Sequence, residues 1–305
     1  MNSKLMPLPE AVSRFIKPGL SLVLGAALEA CIPFAVGHEI IRQRIRNLTL
    51  IGPISDVLFD MLIGGGAVGR IMAAWVGNVS TGLGYNFKRA VEQGRPCPLE
   101  VRDHSNLSIA TALDAGGMGL PFGLTRSLFG TDIQSRNQDL EPISCPFTGQ
   151  ALLAVRALNP DLAVIHAQRA DRDGNTHLWG NLGIVPEAVR ASRQVIVTVE
   201  EIVPGEVIRS DPNRTLIPGF KVAAVIELPW GAHPSPVQGY YGHDDDFYVD
   251  YARQTKDPAE AEAWFEAWVY SRPDHAAYLE RLGRKRLDKL RVSRPAPAAT
   301  VDYGY

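Results

Sequence analysis

Two carboxylates, Glu100 and Asp103, stand just before an apolar stretch at Leu107–Leu113 that predicts a helix. A carboxylate in a site can act as a general base or as a nucleophile. Acidic residues also occur before helices for a structural reason, because they interact favourably with the positive end of the helix dipole. Ser105 or Asn106 would cap this helix. The sequence therefore leaves two interpretations open, a catalytic acid or an ordinary acidic turn.

Small and polar residues follow two predicted strands at the points where those strands end. Gly25 and Ala26 follow Leu20–Leu24, and a loop with Asn78 and Ser80 follows a strand at 70–76. Ligands of open parallel sheets bind outside the carboxyl ends of the strands, so a site is expected there.

The loop after Leu20–Leu24 has two interpretations. Gly25-Ala26-Ala27 would let a backbone approach a phosphate group, but it is not a G-x-G-x-x-G sequence and Glu29 would repel an anion. These features favour a plain turn between strand and helix. The next predicted helix, at 54–63, has Ser55 or Asp56 as its cap.

A further polar cluster follows the apolar run Leu162–Ile165, which predicts a strand buried on both faces. The polar residues after it are His166, Gln168, Arg169 and Asp171, followed by a turn at 173–175. This cluster would line a cleft at the end of the strand, or Asp171 and Asn175 would only cap the turn.

We predict neither a metal site nor a reactive thiol. Residues 243–246, His-Asp-Asp-Asp, lack the spacing of a calcium loop, so we predict a solvated turn. Cys31, Cys97 and Cys145 are far apart, without a C-x-x-C pair, which fits a reducing cytoplasm. Cys145 has no basic neighbour and is predicted to be buried and inert. His233 is predicted to be a structural histidine.

The composition excludes several classes of protein. The 305 residues are 46% apolar and 21% charged, and the net charge is −2, which gives no bias towards nucleic acid or anionic membranes. No apolar run reaches the ~18 residues of a membrane-spanning helix. Residues 1–15 lack the continuous apolar core of a signal peptide. We therefore expect a cytoplasmic protein that binds neither nucleic acid nor a membrane.

Predicted strands and helices alternate along the chain. The first unit runs from Leu20–Leu24 through a helix at Pro33–Arg44 to a strand at Leu48–Ile51. Repetition of this order predicts an α/β fold, a parallel sheet flanked by helices.

The rest of the chain is less regular. Residues 123–148 have weak periodicity and are predicted to be a long connection lying over the sheet, of the kind that is often functional. The pattern is helical at 257–292. We expect residues 1–292 to form one domain and residues 293–305 to be a flexible tail.

Several segments together resemble one known family, the A (alpha) subunit of the family I CoA-transferases of the glutaconate CoA-transferase type. The segments are FKRAVEQG at 87–94, SN at 105–106, LPFGLTRS at 120–127, GTD at 130–132, CPFTG at 145–149, HAQRADRDGN at 166–175, VEEIV at 199–203, IPGF at 217–220 and GAHPSPVQGYY at 231–241. The HAQRADRDGN and GAHPS segments are the most specific. The resemblance covers residues 7–250 in one order.

The resemblance implies a CoA-transferase (NagB/RpiA-like) fold and a covalent mechanism. In this family a glutamate attacks an acyl-CoA thioester, an acyl-glutamyl anhydride forms, and CoA then forms a glutamyl-CoA thioester that a carboxylic acid takes over. Coenzyme A is thus bound as a thioester substrate, and no permanently bound cofactor is implied.

In the two-chain members, that glutamate belongs to the B subunit, and the active site lies between A and B. The resemblance therefore implies that this chain is half of an enzyme, paired with a B subunit in an A2B2 assembly. The residues that would form its wall of the pocket are Gly25, Ala26, Asn78, Ser80, Ser105 and Asn106.

Two alternatives remain open. Some relatives hydrolyse ring-derived acyl-CoA substrates with an acidic residue of the A-like chain, which points to Glu100 and Asp103. Here Asp103-His104 precedes Ser105, where relatives often have an acidic residue followed by an aromatic one. The second alternative is a non-catalytic subunit that binds acyl-CoA.

Overall fold

The computed structural model describes residues 4–293. The strands are β1 (Ser21–Leu24), β2 (Leu48–Gly52), β3 (Val68–Ala73), β4 (Gly77–Asn78), β5 (Gly82–Leu83), β6 (Glu100–Asp103), β7 (Phe122–Thr125), β8 (Leu140–Ser144), β9 (Ala151–Arg156), β10 (Leu162–Ala170), β11 (Thr176–His177), β12 (Gln194–Ile202), β13 (Thr215–Ile217) and β14 (Val222–Glu227). The helices are α1 (Leu8–Phe15), α2 (Phe34–Arg42), α3 (Asp56–Gly64), α4 (Tyr85–Gln93), α5 (Asn106–Gly117), α6 (Asp132–Arg136), α7 (Val185–Ala191), α8 (Gly205–Arg209), α9 (Asp245–Thr255), α10 (Pro258–Phe265), α11 (His275–Leu282) and α12 (Arg284–Leu290). A π-helical turn, Glu266–Tyr270, follows α10. The predicted α/β class, a parallel sheet flanked by helices, is confirmed.

Parallel strands form the body of the large sheet, in the order β14-β12-β10-β1-β2-β3-β6. Leu22 of β1 lies opposite Leu162 of β10 on one side and Leu50 of β2 on the other. The last residues of β10 extend past β1 and pair with the antiparallel strand β11, which pairs with β13. The carboxyl ends of the parallel strands therefore share one edge, where the loops that follow them come together.

Both faces of this sheet are covered. Leu22 and Leu24 of β1 belong to a hydrophobic cluster shared with α2 and α3. Val23, between them, belongs to a second cluster shared with α5 and α7. Complete burial of such a side chain stabilises the fold by about 1.5–3 kcal/mol. Every residue of β10 is buried, which confirms the prediction of a strand with two covered faces.

The prediction of a long connection at 123–148 is wrong. This segment contains α6, β8 and most of β7, and with β9 it forms a small antiparallel sheet in the order β7-β9-β8. Gly123 lies so close to α5 that an added Cβ would be 2.4 Å from Thr111 Cγ2. Pro142 lies in the edge strand β8, where a missing amide is tolerated. Glycine and proline are typical of turns, and this obscures the strand pattern.

The acidic-turn interpretation of residues 100–103 is also wrong. They form the edge strand β6, paired in parallel with β3. Glu100 lies between Arg70 and Arg102, and both arginines bind it. These ion pairs neutralise the charge of Glu100 on an edge strand. A segment with three charged residues can therefore be extended.

The helical pattern predicted at 257–292 is confirmed by α10, the π-helical turn, α11 and α12. From residue 294 onward, the tail predicted at 293–305 lies outside the described residues. The single domain at 1–292 stays a prediction. Between residues 4 and 293, no helix combines the length and the apolar character needed to cross a membrane.

Candidate active site

Loops at the carboxyl edge of the large sheet are hydrogen-bonded to one another. The bonds run from Ser55 Oγ to the Leu24 carbonyl (2.5 Å), from the Ala74 and Trp75 amides to the Pro53 carbonyl (3.1 Å each), and from the His104 amide to the Ala73 carbonyl (3.0 Å). The loops after β1, β2, β3 and β6 therefore lie side by side. Together, segments 25–29, 53–56, 74–81 and 103–106 are termed the carboxyl-edge row.

The six candidate wall residues all lie in this row, but with different accessibility. Gly25, Ala26 and Asn78 are buried, Ser105 is half-buried, and Ser80 and Asn106 are exposed. The exposed side chains are accessible from solvent, whereas the buried residues shape the backbone of the loops.

The loop after β1 is held in an unusual backbone conformation. Gly25 has φ +82° and Ala26 has φ +62°, both in the left-handed region. The Ala26 carbonyl accepts a 2.8 Å hydrogen bond from the Ile184 amide. Gly183 lies so close to the Ala26 carbonyl oxygen that an added Cβ would be 2.2 Å away. Glycine at 183 is therefore required for this close approach.

Asn78 holds the loop after β3 from within. Its Oδ1 accepts hydrogen bonds from the amides of Ser80 (3.0 Å) and Thr81 (3.2 Å). Its Nδ2 donates to the Tyr248 carbonyl over 2.8 Å. Asn78 is 1% exposed, so it positions the loop, and Ser80 presents its hydroxyl group at the surface.

Ser105 caps α5, as one of the two residues for which the sequence predicts this role, and it forms a capping box with Ser108. Its Oγ accepts a 3.0 Å hydrogen bond from the Ser108 amide, and Ser108 Oγ accepts a 2.9 Å hydrogen bond from the Ser105 amide. Ser105 Oγ also lies 3.3 Å from Ser127 Oγ. The exposed Asn106 is the first residue of α5, where backbone amides point towards solvent and favour negative charge.

Asp56 is a further functional candidate. The sequence predicts it only as a possible helix cap. Neither Ser55 nor Asp56 caps α3: Ser55 Oγ bonds to Leu24, and Asp56 Oδ1 accepts a 3.1 Å hydrogen bond from the Val79 amide. Burial raises the pKa of Asp56 to about 6, although the Val79 amide, Tyr248 and His243 oppose the shift. The only sequence signal is its place after a strand exit.

Glu100 lies away from the six candidate wall residues. It is the first residue of β6, so about 10 Å of strand separates it from the carboxyl edge at about 3.3 Å per residue. Its Oε2 accepts a 2.8 Å hydrogen bond from Arg70, and its Oε1 a 3.0 Å bond from Arg102. The hydrogen bond from Arg70 and the second from Arg102 lower the pKa of Glu100. A carboxylate whose pKa is lowered by two guanidinium groups is a weak general base.

Asp103 is exposed at the carboxyl end of β6. It shares with Glu100 a cleft of about 380 Å³, whose other polar lining residues are Arg102, Asp132, Arg136, Asn137 and Gln138. The next residue, His104, is buried between Ser108 Oγ at 3.1 Å and Asn137 at 3.2 Å. Burial lowers the pKa of His104 to about 4, so it is neutral at pH 7.

The polar residues after Leu162–Ile165 are used mostly inside the protein, although Asp171 also borders an open cleft of about 550 Å³ together with Arg172 and Asp173. His166 Nε2 lies 2.8 Å from Glu200 Oε1, and Gln168 binds the Trp179 backbone. Asp171 accepts hydrogen bonds from the Asp173 and Asn175 amides, which closes the turn. The structure confirms that Asp171 caps the turn, and it also places Asp171 at the border of that cleft.

The solvated turn predicted at 243–246 is wrong for Asp244, which is 3% exposed. Its carboxylate accepts two hydrogen bonds from Arg286 (2.5 and 2.7 Å) and one of 2.9 Å from His233 Nε2. His233 also contacts the Tyr278 hydroxyl at 2.7 Å, which confirms it as a structural histidine.

Cys145 is not buried as predicted, because it lies in the turn between β8 and β9 and is partly exposed. A hydrogen bond with the Thr148 side chain lowers the pKa of its thiol. Within residues 4–293, no three His, Cys, Asp or Glu side chains are grouped so that they could hold a metal ion.

Comparisons with known proteins agree with this architecture. The profile of the Coenzyme A transferase family matches residues 6–228. The A (alpha) subunit of 3-oxoadipate CoA-transferase from Pseudomonas knackmussii is 38% identical over 92% of this chain and 98% of its own length. The corresponding chain of glutaconate CoA-transferase from Acidaminococcus fermentans is 33% identical over 95% of both chains.

Comparison of the fold with solved structures agrees with the sequence comparisons. The crystal structure of glutaconate coenzyme A-transferase from Acidaminococcus fermentans superposes with a TM-score of 0.91 and 32% identity, covering 98% of this chain and 99% of that one. Sequence profile, identity and fold together show that the chain belongs to the coenzyme A transferase family, as a subunit of the A type.

Proposed function

We propose that the carboxyl-edge row is this chain's wall of a thioester pocket, and that the enzyme moves CoA from an acyl-CoA to a carboxylic acid. The observation that supports the proposal is the row itself. The loops after β3 and β6, which carry the exposed Ser80 and Asn106, lie beside each other at one edge of the sheet and offer hydrogen-bond donors there. Donors of this kind stabilise the negative charge that develops on a thioester oxygen during attack.

The attacking carboxylate comes from a B-type partner, which is implied because both relatives are named as one of two kinds of chain in their enzymes. It adds to the thioester carbonyl carbon, and the CoA thiolate leaves as an anhydride forms. The thiolate then attacks the glutamyl carbonyl, the first acid is released, and glutamyl-CoA remains for the acceptor. Each step exchanges one activated acyl bond for another, so no cofactor beyond the CoA thioester itself is required.

The test is expression of this chain alone and together with its B partner. We expect transfer only from the pair. Borohydride added after acyl-CoA should reduce the glutamyl-CoA thioester, and peptide mapping should find the modified glutamate in the partner. Full activity of the purified single chain, or a label on its own exposed Glu29, would overturn the assignment.

We further propose a dicarboxylic acyl group as substrate. The two relatives are named for 3-oxoadipate and glutaconate, both dicarboxylic acids, and such an acyl-CoA keeps one free carboxylate. Arg126 is exposed beside Ser127, whose Oγ is 3.3 Å from Ser105 Oγ. We propose that its guanidinium group binds that carboxylate at the end of the row.

Arg126→Ala should lower kcat/KM for a dicarboxylic substrate by about tenfold or more, in keeping with the loss of a charge-assisted hydrogen bond, and Arg126→Lys by less. A monocarboxylic acyl-CoA should be affected little by either change. Arg95→Ala, an exposed arginine just after α4, is the matched control. An equal loss for both substrate classes would contradict the assignment.

The hydrolase alternative receives no support from Glu100, which is bound by two arginines away from the row. Glu100→Gln and Asp103→Asn separate the two reactions: a transferase keeps its borohydride-sensitive intermediate in both variants, whereas a hydrolase that depends on either acid loses turnover. The A2B2 assembly and the cytoplasmic location stay predictions. Native mass spectrometry of the co-expressed chains tests the assembly.

A further inference from the structure

Asp56 has an unusual backbone and a buried carboxylate. It begins α3 with φ +42°, a left-handed conformation that residues other than glycine rarely adopt. Its side chain is 1% exposed, and Oδ1 accepts the 3.1 Å hydrogen bond from Val79. A strained residue of this type persists only where its surroundings hold it, and such residues cluster at functional sites.

The second carboxylate oxygen faces Tyr248. Asp56 Oδ2 and the Tyr248 hydroxyl are both buried, and neither has a hydrogen bond of normal geometry among the described residues. They interact electrostatically, since Asp56 contributes to the raised pKa of Tyr248 after desolvation. The Tyr248 carbonyl accepts the hydrogen bond from Asn78. Asp56 and Tyr248 therefore hold the same loop, one at Val79 and one at Asn78.

We propose that Asp56 is a positioning residue for the transfer reaction, which places Ser80 and the neighbouring amides through its bond to Val79. The inference rests on the proposed function, because it requires the 78–81 loop to line the thioester pocket. Ser80 is exposed one residue after Val79, so a change at Asp56 moves the donors that a substrate would meet.

A neighbouring aspartate shows what a purely structural role looks like. Asp60, on the next turn of α3, accepts hydrogen bonds from Asn86 Nδ2 (2.9 Å), the Tyr251 hydroxyl (2.7 Å) and the Phe87 amide (2.7 Å). Both of its oxygens are satisfied. Asp56 is equally buried but has a strained backbone, and its Oδ2 meets the Tyr248 hydroxyl without normal hydrogen-bond geometry, so its placement lowers stability and calls for another explanation.

The groups that face Asp56 set its response to pH. They are the Val79 amide from the loop after β3, the Tyr248 hydroxyl from α9, and His243 from the segment before α9, whose ring stacks on Tyr248 at 4.4 Å. Burial raises the pKa of Asp56 to about 6. A carboxylate accepts a hydrogen bond more strongly than a carboxylic acid, so the contact with Val79 weakens as pH falls through this range.

The experiment compares Asp56→Asn with Asp60→Asn in the complex with the B partner. We expect Asp56→Asn to lower kcat at pH 7.5 by about tenfold, the effect of weakening one charge-assisted contact, with little change in KM. We also expect it to remove the fall in activity of the wild type below about pH 6. Asp60→Asn should lower the melting temperature, but its activity should still fall below about pH 6.

Three further variants make the outcome decisive. Tyr248→Phe removes a group that lowers the pKa of Asp56, so the acid limb should move to higher pH even if Asp56→Asn fails to fold. His243→Gln removes a smaller influence of the same sign, so the fall in activity should remain and should shift to higher pH by less than in Tyr248→Phe. The inference is overturned if Asp56→Asn keeps the fall in activity below about pH 6, or if Tyr248→Phe does not shift that fall to higher pH. If Ser80→Ala leaves kcat unchanged, the loop does not line the pocket and the proposed function fails instead.

Discussion

Asn78 and Tyr248 are joined by a 2.8 Å hydrogen bond from Nδ2 to the backbone carbonyl, although 170 residues separate them in the sequence. The other end of the same amide group binds Ser80 and Thr81. One buried side chain thus sets the internal shape of the 78–81 loop and also attaches the loop to α9.

Asn78→Ala should therefore affect both stability and turnover. Removal of the amide group leaves the Tyr248 carbonyl and two loop amides without their partner, so we expect the free energy of unfolding to fall by about 1–3 kcal/mol. Asn78→Asp keeps the acceptor for Ser80 and Thr81 but sets a buried carboxylate oxygen against the Tyr248 carbonyl, so its loss should be at least as large. Urea denaturation and kcat of the paired enzyme measure the two effects. A smaller loss in Asn78→Asp than in Asn78→Ala would show that the bond from Nδ2 to the Tyr248 carbonyl contributes little.

The ion pair between Asp244 and Arg286 should be important for stability at neutral pH. Burial alone would raise the pKa of Asp244, but the hydrogen bonds from His233 and Arg286 outweigh it and hold the pKa below its usual range. Removal of one partner of a buried pair costs about 3–5 kcal/mol, which we expect for Asp244→Asn at pH 7.

The sign of the pH dependence follows from the lowered pKa. The stabilisation by Asp244 is complete above its unfolded-state pKa of about 4 and is lost as pH falls through the folded-state value. The difference in unfolding free energy between wild type and Asp244→Asn should therefore shrink below about pH 4. A constant difference between pH 7 and pH 3 would contradict the assignment of the ion pair.

Asp56 should have the opposite pH dependence. Its pKa rises from 3.8 to about 6 in the folded protein, so the fold binds a proton more tightly than the unfolded chain. A shift of about 2 pKa units corresponds to about 3 kcal/mol, present as a destabilisation above pH 6 and relieved as pH falls towards 4. Urea midpoints of wild type and Asp56→Asn at pH 8 and pH 5 test this. We expect the wild type to gain stability relative to the variant at pH 5.

The contact between β7 and α5 should not tolerate a side chain at Gly123. A Cβ there would lie 2.4 Å from Thr111 Cγ2 and 2.9 Å from its carbonyl oxygen, so Gly123→Ala should destabilise by about 1–3 kcal/mol. Thr111→Ser removes the methyl group and should recover part of the loss in the double variant. Thermal unfolding of the three variants measures the coupling, and strictly additive effects would show that the two residues do not clash.

The large sheet and the location of the row are predictable because their signals are local. Apolar runs such as Leu162–Ile165 predict buried strands, and small polar residues after them predict the loops at the carboxyl edge. The motif resemblance adds the family. The small sheet is not predictable in this way, since Gly123 and Pro142 interrupt the strand pattern and its stability depends on the fit against α5.

Individual side chains are harder to predict than strands. Three consecutive aspartates at 244–246 are typical of a solvated turn, yet Asp244 is buried because Arg286 reaches it from 42 residues away. Asp56 resembles a helix cap, and only the position of Val79 shows its contact. Such contacts join residues far apart in sequence, and no local pattern contains them.

The attachment of the 78–81 loop to α9 limits how this chain can be recombined with its relatives. The family profile ends at residue 228, whereas Tyr248 and the other contacts of α9 come after it. A chimera joined at residue 228 would have the sheet and the 78–81 loop of one parent, but the α9 to which that loop is hydrogen-bonded would come from the other parent. To exchange the acyl-group preference between two such enzymes, the N-terminal loops and the C-terminal helices should therefore have to come from the same parent.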